Sequence, residues 1–420
     1  MSLKISRKKI SKLYQLLLPA IAVIITVSIV KYPDDAFDAA VEGLDVWFNV
    51  VLPALLPFFI GSQLLMGLGV VHFMGVLLEP FMRPLFNVPG VGSFVMAMGL
   101  ASGYPVGAML TGKLVKRKLC NVREAERLMS FSNTADPLFM VGAVAVGMFK
   151  DVRLGSIIAI SHYISAILLG IIMRFYAPKA EKTPSVASKN VRESIILKAT
   201  RELLRARKED NRPFGQLLGD CIKDSINSML LILGFIILFS VIIRIITVAG
   251  FIGMICPVIN IVLNILGLNV SLSPAILSGI FEITLGTKLA SSAGAPLIQR
   301  VIIASSIIAW SGLSVHFQVI SMVSDTDIRI APYVFARFLH AILAGAITYI
   351  LMVVPINNNY NSLVMPVFAT VPQPNLESWI SIFKISTELF LLLFIFILFI
   401  SVIVHLLKGF EVVGFKVIKK

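Results

Sequence analysis

The chain has 420 residues, of which 57% are hydrophobic and only 14% are charged. This composition lies far outside the range of soluble globular domains and excludes a water-soluble protein. The formal net charge of +14 would suit a nucleic-acid ligand, but in a strongly apolar chain an excess of Lys and Arg marks cytoplasmic loops. We therefore expect an all-α polytopic membrane protein, and no nucleic-acid partner.

Apolar runs long enough to cross a bilayer recur along the chain. At 1.5 Å per residue, about 20 helical residues span a hydrocarbon core of about 30 Å. Lys and Arg before the first run and after the last run predict that both termini are cytoplasmic. A cleaved signal peptide is the alternative for the first run, but no small-residue cleavage motif precedes Lys31. About eight transmembrane helices are predicted, at residues 14–30, 47–71, 128–149, 154–175, 225–248, 301–323, 332–354 and 382–407.

Two further apolar segments, residues 92–112 and 274–296, are too interrupted to span plainly. The first contains Gly103 and Pro105 and is followed by a cluster of Lys and Arg. Broken backbone at membrane depth is tolerated only where protein or a water-filled cavity covers it. We predict that each segment is a re-entrant hairpin, and that the tip of the first lies at residues 103–105.

The two halves of the chain resemble each other at an offset of about 175 to 180 residues. GYPVGAMLTGKL at 103–114 matches EITLGTKLA at 282–290, and HYISAILLG at 162–170 resembles LHAILAG at 339–345. The hairpins are expected to open to opposite sides, so the halves form an inverted repeat, which in many transporters places the substrate site near the midplane. The predicted division is 1–43 (N-terminal segment and first span), 44–176 (first repeat), 177–224 (basic cytoplasmic loop), 225–354 (second repeat) and 355–420 (outside loop, last span and basic tail).

Residues 131–139 read FSNTADPLF and place polar groups inside an apolar span. Pro137 lacks a backbone donor and clashes with the preceding turn, so it predicts a kink or an unwound segment. Polar groups at this depth are costly and usually functional. Alternatively, Asp136 pairs with a neighbouring helix or caps the half-helix after Pro137. The predicted substrate contacts of this half are Gly103, Tyr104, Asn133, Thr134 and Asp136.

The matching stretch of the second half is WSGLSVHFQ, at residues 310–318. Every second residue of GLSVHFQ is small or polar, a pattern that favours an extended stretch lining a cavity. A packing role for His316 is the alternative. The predicted substrate contacts of this half are Thr287, Lys288, Gly312, Ser314, His316 and Gln318.

Ionisable groups inside apolar segments are the predicted coupling sites. Asp136 and Glu282 are the candidates for binding a proton or a sodium ion, unless Glu282 and Lys288 simply neutralise each other. Arg337 and His340 are basic groups at buried depth near the start of a span. Arg337 either lines the site there or reaches the cytoplasmic interface, and we favour the interface. His162 is expected to be a packing or interfacial residue.

The sequence carries no signature of an enzyme. It has no phosphate-binding Walker motif and no nucleophile and base at a recognisable spacing. Its three cysteines lack the spacing of a metal site or a disulfide framework. We therefore predict no catalytic residue, no metal and no cofactor, and transport driven by a proton or sodium gradient.

Four stretches, FSNTADPLF, GYPVGAMLTGKL, WSGLSVHFQV and FARFLHAILAG, resemble the YlbJ family of sporulation integral membrane proteins. This family lies within the larger group with nucleoside-recognition, or Gate, domains, and the resemblance covers about residues 45–350. Gate-domain proteins are similar in arrangement to concentrative nucleoside transporters, with eight spans and two re-entrant hairpins. The first hairpin reads GYPVGAML where those transporters carry a Gln-Thr-Glu motif, which argues against a nucleoside substrate.

For the sporulation branch, the resemblance implies export of dipicolinic acid from the mother cell across the outer forespore membrane during endospore formation. We therefore expect a secondary transporter of a small anion, dipicolinate above all, embedded in the lipid bilayer; self-association into a homo-oligomer is left open. One alternative is a carrier of nucleosides or of other small solutes. Another is a non-transporting scaffold for spore cortex assembly, in which the polar residues serve helix packing.

Overall fold

The computed structural model describes residues 19–184, except residue 21, and residues 195–353. All regular secondary structure within these ranges is helical. The predicted last span at 382–407, the loop before it and both chain ends lie outside the described residues, so the cytoplasmic location of the termini stays a prediction.

The N-terminal part of the described chain runs through short helices to one long helix. A loop at 174–184 follows that long helix. The helices are α1 (Ala22–Lys31), α2 (Pro33–Val46), a π-helix (Trp47–Val51), α3 (Leu52–Gly67), α4 (Val70–Phe86), α5 (Gly92–Ser102), α6 (Val106–Lys116), α7 (Val122–Ser132), a second π-helix (Leu138–Met148) and α8 (Arg153–Met173).

The second part begins with the basic surface helix α9 (Ile195–Asp210), which packs on α4. Its remaining helices are α10 (Phe214–Val248), α11 (Phe251–Ile265), a 3-10 turn (Val270–Leu272), α12 (Ser273–Phe281), α13 (Ile283–Ser292), α14 (Leu297–Trp310), α15 (Gly312–Val323) and α16 (Ala331–Val353).

The two halves have the same order of elements. In each half, an apolar helix leads to an amphipathic helix, α4 or α11, and then to a helical hairpin, α5–α6 or α12–α13. A helix with a break near its middle follows, α7 with the second π-helix or α14 with α15, and a long unbroken helix, α8 or α16, ends the half. This order shows a helical hairpin at each predicted place and agrees with the predicted repeat; the re-entrant placement of the hairpins in the membrane and the exact domain boundaries stay predictions.

Four helical stretches of the described chain are long and apolar enough to cross a membrane: α8, α10, α14 continued by α15, and α16. A fifth is obtained if α3 and α4, which meet at an angle of 80°, count as one bent span. The predicted span at 128–149 is divided into two short helices by its polar break. The predicted span at 14–30 is described only from residue 19 onward.

The core forms where the last helix of each half packs between the broken helices. The helix α16 packs on α14, α8 and α7, while α10 packs on α2, α3 and α15. Glycine permits the closest approach in the first half, because a Cβ at Gly99 would lie 1.9 Å from the carbonyl oxygen of Ser132. The first hairpin is therefore held directly against the backbone that leads into the break.

Candidate functional site

The polar break of the first half, residues 133–136, is non-helical, and its polar side chains are hydrogen-bonded. Thr134 donates its hydroxyl to the carbonyl of Gly99, 3.1 Å away, and the amide of Ala135 donates to Nε2 of His162 at 3.0 Å. Oδ1 of Asp136 accepts from the amide of Phe139 at 2.8 Å. Asp136 thus caps the helix that follows Pro137, which agrees with the structural alternative for this residue.

The tip of the first hairpin lies against this break. Gly103 has a φ of +78°, and a Cβ there would lie 2.7 Å from Oδ2 of Asp136. Tyr104 follows it, and its hydroxyl donates to the carbonyl of Ile308 in α14, 3.1 Å away. The two predicted contact residues at this tip therefore connect the break of the first half to the second half.

The second half repeats this arrangement. Ser311 and Gly312 both have a φ of +72°, which interrupts the helix between α14 and α15. A Cβ at Gly312 would lie 2.9 Å from the carbonyl oxygen of Phe281, at the tip of the second hairpin. Glu282 at that tip accepts from the amide of Leu285 at 2.7 Å and so caps α13. Each half thus has a hairpin tip against a break and a carboxylate capping a short helix.

The extended conformation predicted for 312–318 is wrong, because these residues form the first turns of α15. In a helix Ser314 and Gln318 share one face, and their side chains lie 3.4 Å apart. His316 Nδ1 lies 2.7 Å from the carbonyl oxygen of Gly312, while its buried Nε2 has no hydrogen-bond partner. The ring of His316 packs between those of Trp310 and Tyr333, with centroids 4.4 and 5.4 Å away.

Arg337 is fully buried, so its predicted location at the cytoplasmic interface is wrong. Nη1 donates to the carbonyl of Asn133 at 2.8 Å and lies 3.4 Å from the Tyr104 hydroxyl, and Nη2 donates to the carbonyl of Ser130. Among the described residues no carboxylate lies within ion-pair distance of Arg337. The guanidinium stays inside because the break of α7 supplies carbonyl oxygens that no helical N–H uses.

Tyr333 is a site residue that the sequence did not predict. It is fully buried, its hydroxyl accepts from Nδ2 of Asn133 at 2.9 Å, and its ring lies 5.5 Å from the Arg337 guanidinium carbon. Its spacing of four residues from Arg337 in PYVFAR places both on one helix face, which was the available signal. We call Tyr104, Asn133, His316, Tyr333 and Arg337 the central cluster.

Three predicted residues of the second hairpin do not join the central cluster through any contact of the described chain. Lys288 is exposed and forms no ion pair with Glu282. Thr287 is buried, and its hydroxyl donates to the carbonyl of Ile283 at 2.7 Å. Glu282 is occupied by its capping interaction. The alternative that Glu282 and Lys288 neutralise each other is therefore wrong in this conformation.

A cluster of charges connects the halves at the start of α7, outside the apolar spans. The carboxylate of Glu126 accepts from Nε of Arg329 at 2.9 Å, from Nη1 of Arg123 at 2.8 Å and from the Tyr176 hydroxyl at 2.8 Å. Burial alone would raise the pKa of Glu126, but these donors outweigh it and hold the pKa below its ordinary value. A second pair, Lys116 with Asp325, joins the same regions.

These features define the class of the protein: a polytopic helical membrane protein with two similar halves, each with a hairpin against a broken helix, and with a buried cationic cluster between them. The family model for nucleoside recognition, Gate, matches residues 48–179. Over 342 residues the chain is 43% identical to the sporulation integral membrane protein YlbJ of Bacillus subtilis (strain 168), which covers 81% of this chain and 84% of that protein. The chain belongs to this YlbJ family.

Proposed function

We propose that the protein is a secondary transporter of a small anionic metabolite, with dipicolinic acid, moved across the outer forespore membrane during endospore formation, as the favoured substrate. The observation that supports the proposal is Arg337. This buried cation bonds only neutral oxygens of the described chain, at the junction of the two halves. A buried charge without a counter-charge is costly, and a substrate carboxylate would remove that cost.

The donors around Arg337 suit a planar dianion. Nε of Arg337 is buried without a hydrogen-bond partner, the Tyr104 hydroxyl lies 3.4 Å from Nη1, and the ring of Tyr333 packs on the guanidinium. Charge-assisted hydrogen bonds to carboxylates are the strongest that such groups make. The proposed substrate contacts are therefore the central cluster together with the sequence candidates Gly103, Thr134, Asp136, Thr287, Lys288, Gly312, Ser314 and Gln318.

Nucleosides are the second candidate substrates, favoured by the nucleoside-recognition match over residues 48–179. In that case the Asn133 amide and the two tyrosine hydroxyls would bind sugar hydroxyls or base edges, and Arg337 would need no exchangeable anion. The two substrates differ in charge, so one variant separates them: loss of the Arg337 charge weakens dipicolinate transport much more than uridine transport.

The driving force is proposed to be an ion gradient, with Asp136 and Glu282 as the sequence candidates for a proton or a sodium ion. Both carboxylates lie at hairpin or break positions inside the described chain. We also propose that the protein lies in the outer forespore membrane of the mother cell and that it can assemble into a homo-oligomer.

The test is uptake of labelled dipicolinate, with uridine in parallel, into proteoliposomes with imposed proton or sodium gradients. We expect saturable dipicolinate uptake that falls about tenfold or more in Arg337→Gln, the loss expected for one charge-assisted hydrogen bond. Arg127→Gln is the matched control, because Arg127 is also buried but bonds the carbonyls of Asn87, Tyr176 and Ala177 instead.

Three results would contradict the proposal. Equal dipicolinate uptake by Arg337→Gln and by the wild type would remove the anion site from this cluster. Uptake of uridine alone would support the nucleoside carrier. Failure of folded wild-type protein to transport either solute would favour a membrane scaffold.

A further inference from the structure

Two buried histidines from the last helices of the two halves contact each other. His162 lies in α8 and His340 in α16, the last helices of the halves, and 178 residues separate them. Their ring centroids are 4.6 Å apart, and both side chains are excluded from solvent. The pair therefore lies where the last helices of the two halves pack on each other.

The hydrogen bonds of the pair fix where its protons reside. The amide of Ala135 donates to Nε2 of His162 at 3.0 Å, so this nitrogen is an acceptor and neutral His162 carries its proton on Nδ1. Nε2 of His340 lies 3.1 Å from the carbonyl oxygen of His162, and a carbonyl only accepts, so this nitrogen carries a proton. Nδ1 of His340 is then a free lone pair, buried and without a partner.

A proton can therefore add to His340 without breaking a hydrogen bond of the structure. The ionisable groups that act on His340 are Arg337, one turn earlier on α16, and His162 on α8. The other helices packed on α16, α7 and α14, bring no ionisable group to it within the described chain. Next to Arg337 a second buried positive charge is strongly disfavoured. An anion bound at Arg337 would cancel that repulsion.

We propose that Nδ1 of His340 binds the proton that couples substrate transport to a proton gradient, and that His162 positions it. This inference rests on the proposed anion site at Arg337. A proton from water adds to the free lone pair when the anion is bound, and leaves to water on the other side when the anion leaves. Anion and proton thus bind together, which is the requirement for symport.

Asp136 and Glu282 compete with His340 for this role, and their geometry makes them weaker candidates. Each carboxylate already accepts from the backbone amide of the short helix it caps, at 2.8 Å and 2.7 Å. Both carboxylates therefore already serve as helix caps, whereas Nδ1 of His340 makes no hydrogen bond within the described chain.

The experiment separates coupling from transport. Wild-type proteoliposomes should exchange labelled for unlabelled dipicolinate, and should also accumulate it about tenfold per imposed pH unit. We expect His340→Gln to keep exchange within a few-fold of the wild type but to lose gradient-driven accumulation. His72→Gln, on the partly exposed α4, should keep both activities.

Several outcomes would overturn the inference. One is normal accumulation by His340→Gln, and another is accumulation that is lost in Asp136→Asn and retained in His340→Gln. Absence of exchange by the wild type would instead contradict the proposed function. If His340→Gln does not fold, proton uptake by wild-type protein in weakly buffered detergent decides: about one proton bound per dipicolinate supports the inference, and none contradicts it.

Discussion

The side-chain amide of Asn133 donates to the hydroxyl of Tyr333 at 2.9 Å, across 200 residues of sequence. The backbone carbonyl of the same Asn133 accepts from Arg337, one turn further along α16. A single residue in the break of the first half thus bonds twice to the last described helix of the second half. If one half moves relative to the other, either both hydrogen bonds break or the residues that they join move together.

Replacing Tyr333 by Phe should destabilise the protein by about 1–3 kcal/mol, because the Asn133 amide is fully buried and would lose its acceptor. The ring would still pack on Arg337, so the change isolates the hydroxyl. Thermal unfolding in detergent measures the effect. Tyr349→Phe on the same helix is the control, since Tyr349 is 53% exposed and should unfold as the wild type does. An equal melting temperature for Tyr333→Phe and wild type would argue against this hydrogen bond.

Two glycines at matched positions of the repeat should both resist substitution. A Cβ at Gly107 would lie 2.5 Å from the carbonyl oxygen of Ser132, and one at Gly286 would lie 2.4 Å from Cα of Gly279. These neighbours are backbone atoms and cannot rotate away, so each Gly→Ala change should cost about 1–3 kcal/mol. Gly234→Ala in α10 has open space and should be neutral or stabilising by up to about 1 kcal/mol. A similar melting temperature for the three variants would contradict the close packing.

The hairpins and the first break could be predicted because their signals are local. Glycines, prolines and polar residues inside apolar runs have few structural explanations in a membrane. The prediction of an extended conformation at 312–318 was wrong, because extended backbone without hydrogen-bond partners is costly in a membrane. The segment therefore forms a helix although small or polar side chains alternate with apolar ones.

The composition of the central cluster could not be predicted, because its contacts join residues that are distant in sequence. The partners of Arg337 lie more than 200 residues away, and a basic residue near the end of a span is as consistent with the interface as with the core. Lys288 is the opposite case, since it was expected to line the site and is exposed. One basic residue in a broken helix does not reveal which face of that helix it occupies, and the structure places it on the exposed face.

The Glu126 cluster should make stability depend on pH in the acid range. The folded-state pKa of Glu126 lies below the ordinary value of 4.5, so its contribution is fully present above that value and is lost as pH falls through the lower, folded value. We expect about 1–2 kcal/mol at neutral pH, because Arg329 is partly exposed. Glu126→Gln should lower the melting temperature at pH 7 and flatten its decline between pH 5 and 3, whereas the exposed Glu181→Gln should follow the wild type. Parallel curves for wild type and Glu126→Gln would contradict this.

Asp136 should behave as a helix cap whose oxygen, rather than its charge, stabilises the fold. Its Oδ1 accepts from the amide of Phe139, and an asparagine can supply an equivalent oxygen. Asp136→Ala should therefore lower stability by about 1 kcal/mol, while Asp136→Asn should change it by less than half as much. Thermal unfolding of both variants, with Asp327→Asn in an exposed loop as the charge-matched control, measures the difference. Equal losses in Asp136→Ala and Asp136→Asn would show that the negative charge itself is needed, and would favour Asp136 as the site of a coupling cation.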